Sequence, residues 1–498
     1  MPRDGYVLLP TGPTTSPSSN TNSWPIPKWM PRHTRLRPRQ ALTAATALVL
    51  FFTLVSFFYW GDLELFAYPE ESQWSSNASD FDEIFLREAQ LPQHNLSAPY
   101  PEGQGGRFLR FSNQVWGLGW NNILQERLLN TILAYDSDRA PVFSPFEAWA
   151  HPPRNDTTAA GIRQVLVVPY NALVSGPTAG SSWGRGDHHP RAISDKWWNV
   201  VCPMPRRKVI NVGDIMSDIG YDPDGIKLLR QWGSLLKDIP DNCVEIVGSQ
   251  IFDFYLIGSP RVLSIWDTFS KHPAIQRLDD SEVVKTALAQ NMAKLQTQTD
   301  FSWRPHVFKP TGIIAGLVAV HIRRGDYLGD EGQDNGHCLH LSKWGSTFTG
   351  WNQLPQLHDK FDPPSREGIE GGQNTPEIAD YYLRRCLPTP AQVAARLRRI
   401  KSGRHARLSH IFIATNAEES YLLELREVLA ADGWAPDSIV TSKDLDLNWQ
   451  ATSVAMAVDM SILSRAEVFV GNGFSSMTSN VVMRRLTTGT PLDSVRLW

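Results

Sequence analysis

The chain has 498 residues, with 48 Lys and Arg against 51 Asp and Glu and a formal charge of −3. That length allows two or three domains and a sizeable core, while the near balance of charge excludes recruitment to nucleic acid by the overall field. Eighteen tryptophans and twelve tyrosines suit packing or stacking on rings, although most aromatic side chains belong to cores.

Residues 1–40 are rich in Pro, Ser, Thr and Asn without a hydrophobic period and read as a disordered cytosolic tail. Ala41–Trp60 is uncharged and mostly apolar. As a helix it would span about 30 Å, the thickness of a bilayer core. Arg32, Arg35, Arg37 and Arg39 precede it, and Asp62 and Glu64 follow. The positive-inside rule therefore predicts a single-pass, type II signal-anchor, with everything after Gly61 in the Golgi or endoplasmic reticulum lumen. A cleaved signal peptide is the alternative. The polar tail before the run, and the lack of a small-residue cleavage site after it, speak against that reading.

The sequons at Asn77, Asn95 and Asn155 and all four cysteines fall on the lumenal side. Four cysteines allow three pairings. Cys202 with Cys243 and Cys338 with Cys386 is the expected set, since each bond would close a loop within one domain. Residues 61–106, acidic and rich in Pro and Ser, are expected to form a stem with a short helix at Asp80–Glu88.

Structured pattern begins at Phe108–Val115. The glycine loop Gly117–Asn122 runs into an apolar helical period through Tyr135, followed by strands at Ala140–Phe143 and Gln164–Pro169. A dinucleotide fingerprint would need glycine where Asn122 stands, so an oxidoreductase is disfavoured. Helices are expected at Ile226–Leu236, Thr268–His272 and Glu282–Leu295. A boundary at 305/306 divides the lumenal part into domains 107–305 and 306–498.

The second domain alternates strands with helices: strands at Gly316–Val320, His410–Ala414, Ser438–Thr441 and Glu467–Val470, and helices at Thr389–Lys401, Glu418–Ala430, Thr452–Arg465 and Ser475–Arg485. This implies a parallel sheet with right-handed crossovers. Gly329–Pro376 shows no period and reads as a loop insertion, either functional or disordered.

Two loops carry the chemistry. Strand Gly316–Val320 ends in His321-Ile322-Arg323-Arg324-Gly325-Asp326, and guanidiniums beyond the carboxyl end of a strand suit an anionic ligand. Strand Glu467–Val470 ends in Gly471-Asn472-Gly473-Phe474-Ser475-Ser476 at a helix start, where free N–H groups and hydroxyls also favour an anion. Together they form the two halves of a pyrophosphate clamp. No Walker sequence is present, which disfavours a P-loop phosphotransferase. The D-x-D tripeptides at Asp136, Asp222 and Asp444, the pair His188–His189 and the cluster His337-Cys338-Leu339-His340 carry metal-ligating side chains, and none is expected to hold a metal.

The run His321–Asp326, the Ile411–Asn416 segment and Asp459 through Ser479 resemble the three C-terminal motifs of the fucosyltransferase superfamily, which includes protein O-fucosyltransferases and α-1,6-fucosyltransferases. Gly117–Asn122 is similar to the loop opening their first domain. The resemblance covers about residues 107–498. It implies an α/β, GT-B-like pair of facing Rossmann-like domains and an inverting transfer of fucose from GDP-fucose to a Ser/Thr or glycan hydroxyl, without an obligatory metal or other cofactor.

Carried over position by position, it implies that Arg323 binds the β-phosphate and that Arg324 supports it or reaches the acceptor side. His321 and Asp326 would shape the loop and contact the nucleotide or sugar. Gly473, Phe474, Ser475 and Ser476 would hold the pyrophosphate. Asp459 would hold the guanine or ribose, and Asn121 or Asn122 the donor sugar. Leu118 stands where some members carry a glutamate base, so no general base is assigned; Glu126 lies a turn later. The alternatives are an inactive, membrane-anchored sugar- or nucleotide-binding protein, and a glycosyltransferase using another nucleotide sugar.

Overall fold

The computed structural model describes residues 81–114, 118–149, 165–220, 222–296, 312–329, 336–403, 405 and 407–498. The expected tail, the apolar run 41–60, Asn77, Asn155, Gly117 and the boundary at 305/306 lie outside these residues. No helix among the described residues is long and apolar enough to cross a membrane.

Two five-stranded, all-parallel sheets carry the fold. The first contains β1 (Phe108–Phe111), β2 (Ala140–Phe143), β3 (Ile193–Ser194), β4 (Arg207–Asn211) and β5 (Cys243–Val247), in the order β3-β2-β1-β5-β4. The second contains β6 (Ile314–Ile322), β7 (His410–Thr415), β8 (Ile439–Thr441), β9 (Ala466–Gly471) and β10 (Val495–Leu497), in the order β8-β7-β6-β9-β10. Central strands such as β6 and β9 are near-continuous runs of Val, Ala, Leu and Ile, as burial on both faces requires.

Among the helices are α1 (Asp82–Ala89), α2 (Trp120–Asp136), α3 (Gly225–Asp238), α4 (Glu282–Leu295), α5 (His337–Lys343), α6 (Pro376–Cys386), α7 (Pro390–Lys401), α8 (Glu419–Ala431), α9 (Ala455–Arg465) and α10 (Ser476–Thr487). Their starts follow local chemistry. Thr389 makes a full capping box with Gln392, and Pro390 occupies the first helical turn, where its missing N–H costs nothing. Thr375 and Ser281 cap α6 and α4 through their hydroxyls, which accept from the amides of Ile378 and Val284. Alternation along β6 sorts its neighbours: Leu317 and Ala319 join the cluster containing α9 and α10, while Val318, Val320 and Ile322 pack with α7 and α8. That first cluster also takes in β1, α2 and α3, so the two sheets share one apolar core.

Both expected disulfides, Cys202–Cys243 and Cys338–Cys386, are formed. Several other expectations need correction. From Phe81 onward the expected stem is packed: Phe81 and Ile84 are buried, and the Gln93 amide donates to the carbonyls of Gly180 (3.0 Å) and Ala192 (2.6 Å). Phe81 meets the Trp449 ring and Glu88 accepts from the Asn171 amide, which docks this otherwise polar segment. The described part of the insertion is ordered as well. Phe348, Trp351, Leu354 and Leu357 are all buried, at a spacing of three that the intervening Gly, Asn and Gln residues obscure. The helix expected over Thr452–Arg465 is two helices, Trp449–Ser453 and α9, broken at the buried Val454. Strands β4 and β5 went unmarked because Arg207, Lys208 and Glu245 interrupt their apolar pattern.

Candidate active site

Val320 pairs in register with Val470, so the two loops leave neighbouring parallel strands at the carboxyl end of the sheet, where open α/β folds bind ligands. Arg323 continues the odd-numbered side of β6. Its guanidinium lies 5.2 Å over the Tyr327 ring, and the Tyr327 hydroxyl donates to the Phe474 carbonyl at 2.9 Å. Tyr327 thus joins the cationic loop to the glycine loop. Asp326 grips the same guanidinium through two bonds, at 3.0 and 2.7 Å.

Arg324 continues the even-numbered side and is turned away. It stacks 4.0 Å over Tyr421 and pairs with Glu418 at 3.2 Å, both on the α8 side of the sheet. Its backbone N–H donates to Asn416 Oδ1, which also accepts from Gly325. Arg324 therefore does not share the face of Arg323, because the strand's period of two sends adjacent residues to opposite faces. His321 is also corrected. It is buried against α10, with Nδ1 3.0 Å from the Thr478 hydroxyl. Burial, reinforced by nearby Arg323, pushes its pKa down to about 3, so it is a neutral strut without a surface to offer a nucleotide.

The glycine loop is organised by Asn472. Its side chain donates to the Cys386 carbonyl (3.1 Å) and accepts from the Phe474 amide (2.9 Å), and its carbonyl accepts from the Ser475 amide (3.0 Å). Two amides expected to face an anion are consumed within the turn. What the site offers instead is the first turn of α10, which lacks a side-chain cap, together with the buried Ser475 hydroxyl, which has no partner. These are the groups a phosphate would satisfy.

The insertion roofs the loop. Thr349 N–H and the Asn352 amide both donate to the Gly473 carbonyl, at 3.0 and 2.9 Å, and Asn352 also reaches the Ser475 carbonyl at 3.2 Å. A Cβ at Gly473 would run into the Phe348 ring, which explains the glycine. Phe474 is packed edge-on against Phe348 and Phe361. Ser476 is also buried; between residues 471 and 480 only Met477 is half-exposed.

Asp459 sits on α9 beside the ends of β7 and β8. One carboxylate oxygen accepts from the Ser442 hydroxyl at 2.8 Å, and the other is buried without a partner. Burial pushes this carboxyl up to about 7. From the first half, the carbonyl and side-chain oxygens of Asn121 each accept from the Asn480 amide at 3.0 Å, and the Gln125 amide donates to the Ser479 hydroxyl at 2.6 Å. Asn121 is therefore spent on joining α2 to α10, while Asn122 is half-exposed in the same turn. Sequence reasoning assigned no role to Tyr327, Asn416, Asn472 or Asn352. The first three stand inside or beside the quoted motifs; Asn352 had no local signal.

Glu126 is 2 % exposed and accepts a hydrogen bond from the Gln250 amide. Burial pushes its pKa up to about 7, only partly opposed by that bond. A carboxyl whose folded pKa lies above its unfolded value loses stability as pH rises between the two, and the loss is complete above the folded pKa. Glu126→Gln is therefore expected to raise the melting temperature at about pH 8 and leave it nearly unchanged at about pH 4, in a pair of thermal melts.

Among the described residues no three His, Cys, Asp or Glu side chains gather as metal ligands. The D-x-D carboxylates have other partners: Asp138 pairs with Lys237, Asp222 with Arg261, Asp444 with Arg426 and Asp446 with Lys294.

Residues 283–488 match the family model described as GDP-fucose protein O-fucosyltransferase. The matched region runs from α4 through α10 and includes both loops. Over this part the chain is similar to that family. A comparison with curated proteins finds no match. Among solved structures, the chain is similar to POFUT1 in complex with GDP-fucose in two crystal forms. One is 15% identical with a TM-score of 0.49, covering 80% of this chain and 99% of that one. The other is 16% identical with a TM-score of 0.48, covering 79% and 98%.

Proposed function

We propose that this chain, whose residues 283–488 carry the fucosyltransferase signature, transfers fucose from GDP-fucose to a hydroxyl group on a protein or glycan. One observation carries the reading. The matched region centres on adjacent strands β6 and β9; at their ends Arg323 stacks on Tyr327, whose hydroxyl bonds the Phe474 carbonyl next to Ser475 and its unpartnered hydroxyl. In an inverting displacement the acceptor oxygen attacks the sugar's anomeric carbon as the bond to the β-phosphate breaks, GDP departs with the electron pair, and the acceptor's hydroxyl proton passes to water. Arg323 and the uncapped amides of α10 neutralise the charge growing on that phosphate without reorganising. The unpartnered oxygen of Asp459 takes an N–H or O–H from guanine or ribose, and Asn122 attends the sugar.

The chain is further held to be a type II membrane protein of the Golgi or endoplasmic reticulum, anchored through residues 41–60 with the catalytic part lumenal. The two disulfides suit that oxidising compartment. Thermal melts of the full chain with GDP, UDP, ADP and CMP separate the donors. GDP alone is expected to raise the melting temperature, since a ligand bound only by the folded state stabilises it. Protection by UDP instead would reassign the donor, and GDP binding without donor hydrolysis or transfer would leave a binding protein.

A further inference from the structure

The insertion holds a feature that donor binding does not use: a line of exposed rings leading away from Arg323. Beyond the Arg323–Tyr327 stack, the His337 ring meets Tyr327 edge-on with centroids 4.9 Å apart. His340 follows His337 at 6.2 Å in a stacked arrangement, and Trp344 follows His340 at 6.3 Å. His337 and His340 share one face of α5, and Trp344 lies just past its end, continuing the same helical spacing of three and four. The opposite face carries the buried Cys338 and Ser342. His337 and His340 are exposed, and Trp344 is 60% exposed.

The platform is rigid. Gly336 abuts the carbonyls of Tyr327 and Leu328 so closely that no side chain fits there, which ties the start of α5 to the cationic loop. The Cys338–Cys386 bond ties α5 to α6, whose last carbonyl is held by Asn472 of the glycine loop. Gly371 and Gly372 leave room for the indole, since a Cβ at either would meet its six-membered ring, at 3.0 and 3.6 Å, and Arg366 pins their segment to α5 through the carbonyls of Ser342 (2.7 Å) and Gln373 (2.7 Å). The tryptophan is therefore backed by a glycine segment on one side while more than half of the side chain stays open to solvent. A core aromatic would bury both faces, and a loose surface aromatic would have no backing. A ring backed on one side, with imidazole donors alongside, suits a ligand with a flat C–H face and a rim of hydroxyls, which is the chemistry of a pyranose.

We infer that His337, His340 and Trp344 form an acceptor subsite that seats a pyranose ring, so that the acceptor of the reaction is a carbohydrate. This rests on the donor reading above, because the subsite gains its role from its continuity with Arg323 and Tyr327.

The test uses the full chain in detergent, without an acceptor of known identity. Saturation-transfer NMR and tryptophan fluorescence are recorded against methyl glycosides of glucose, galactose, mannose and N-acetylglucosamine, and against a Ser/Thr-containing peptide, each with and without GDP. At least one glycoside is expected to receive saturation on its C–H face. Trp344→Ala is expected to weaken that binding about tenfold, as loss of ring stacking does, while Trp344→Phe retains most of it. Melting curves of both variants check that the fold is kept. If no glycoside binds while GDP does, the subsite is overturned and the donor reading stands. Peptide binding lost in Trp344→Ala overturns the sugar assignment. If GDP also fails to bind, the donor reading falls.

Discussion

Arg323→Ala is expected to lower turnover of GDP-fucose by a hundredfold or more while leaving the protein folded, in line with removing one preorganised group from the site of developing charge. The side chain is partly exposed and its partners are Asp326 and the Tyr327 ring, so its removal opens no core cavity. It does leave the departing phosphate with only the uncapped first turn of α10 to neutralise it. Arg323→Lys should recover little, because a point charge cannot reproduce a planar fork over an aromatic ring. Donor hydrolysis by the purified full chain, followed by nucleotide release, gives the measurement. Retention of more than half the wild-type rate would remove Arg323 from the reaction. Arg324→Ala provides the contrast: its guanidinium belongs to Glu418 and Tyr421, so it should change the melting temperature more than the rate.

The largest loss of stability is expected at Asp280→Asn. Asp280 is 1 % exposed and pairs with Arg465 and Arg484, each at 2.7 Å, while accepting from the Ser461 hydroxyl at 2.6 Å. It lies in the short bridge at Asp279–Asp280, and its partners are on α9 and α10, so one carboxylate fastens the helix layer of the second sheet. Removing its charge strands two guanidiniums with little access to water, a change that costs about 3–5 kcal/mol for a buried pair. Burial alone would raise the Asp280 pKa, but Arg484 and Arg465 outweigh it and hold the group at about 2. A depressed carboxyl contributes stability above its unfolded pKa and loses it as pH falls through the folded one. The deficit of Asp280→Asn should therefore be full at neutral pH and shrink between about pH 4 and pH 2. Denaturant melts of both proteins across that range test it. A difference below about 1 kcal/mol at neutral pH would mean that water reaches the arginines.

Legibility tracked the physical range of each signal. The alternation of strands and helices after residue 312 is a local, periodic pattern, and β6 through α10 stand close to where periodicity places them. The Arg323 loop and the Ser475 turn were legible because a charged or glycine-rich break after an apolar strand is written in consecutive residues. The roles of His321 and Arg324 were not. Within His321–Asp326 every polar side chain looks equally available, and only the direction of the pleat decides which one faces α10, which one α8 and which one the second loop. Likewise the amides of Phe474 and Ser475 look free in sequence but are taken up by Asn472.

By itself, the order of residues determined the parallel α/β architecture after residue 312 and the pair of loops that end its strands, since each follows from neighbours along the chain, whereas the choice among three cysteine pairings fell to the folded structure. Only the tertiary structure decided that residues 336–376 are a folded roof over the glycine loop, that α2 and α10 are bonded through Asn121 and Asn480, and that His337, His340 and Trp344 line up beside Arg323. Those contacts join residues up to several hundred positions apart. They arise because burying Phe348, Trp351 and Leu354 against the loop outweighs the entropy of ordering the segment, a balance that no stretch of the chain carries on its own.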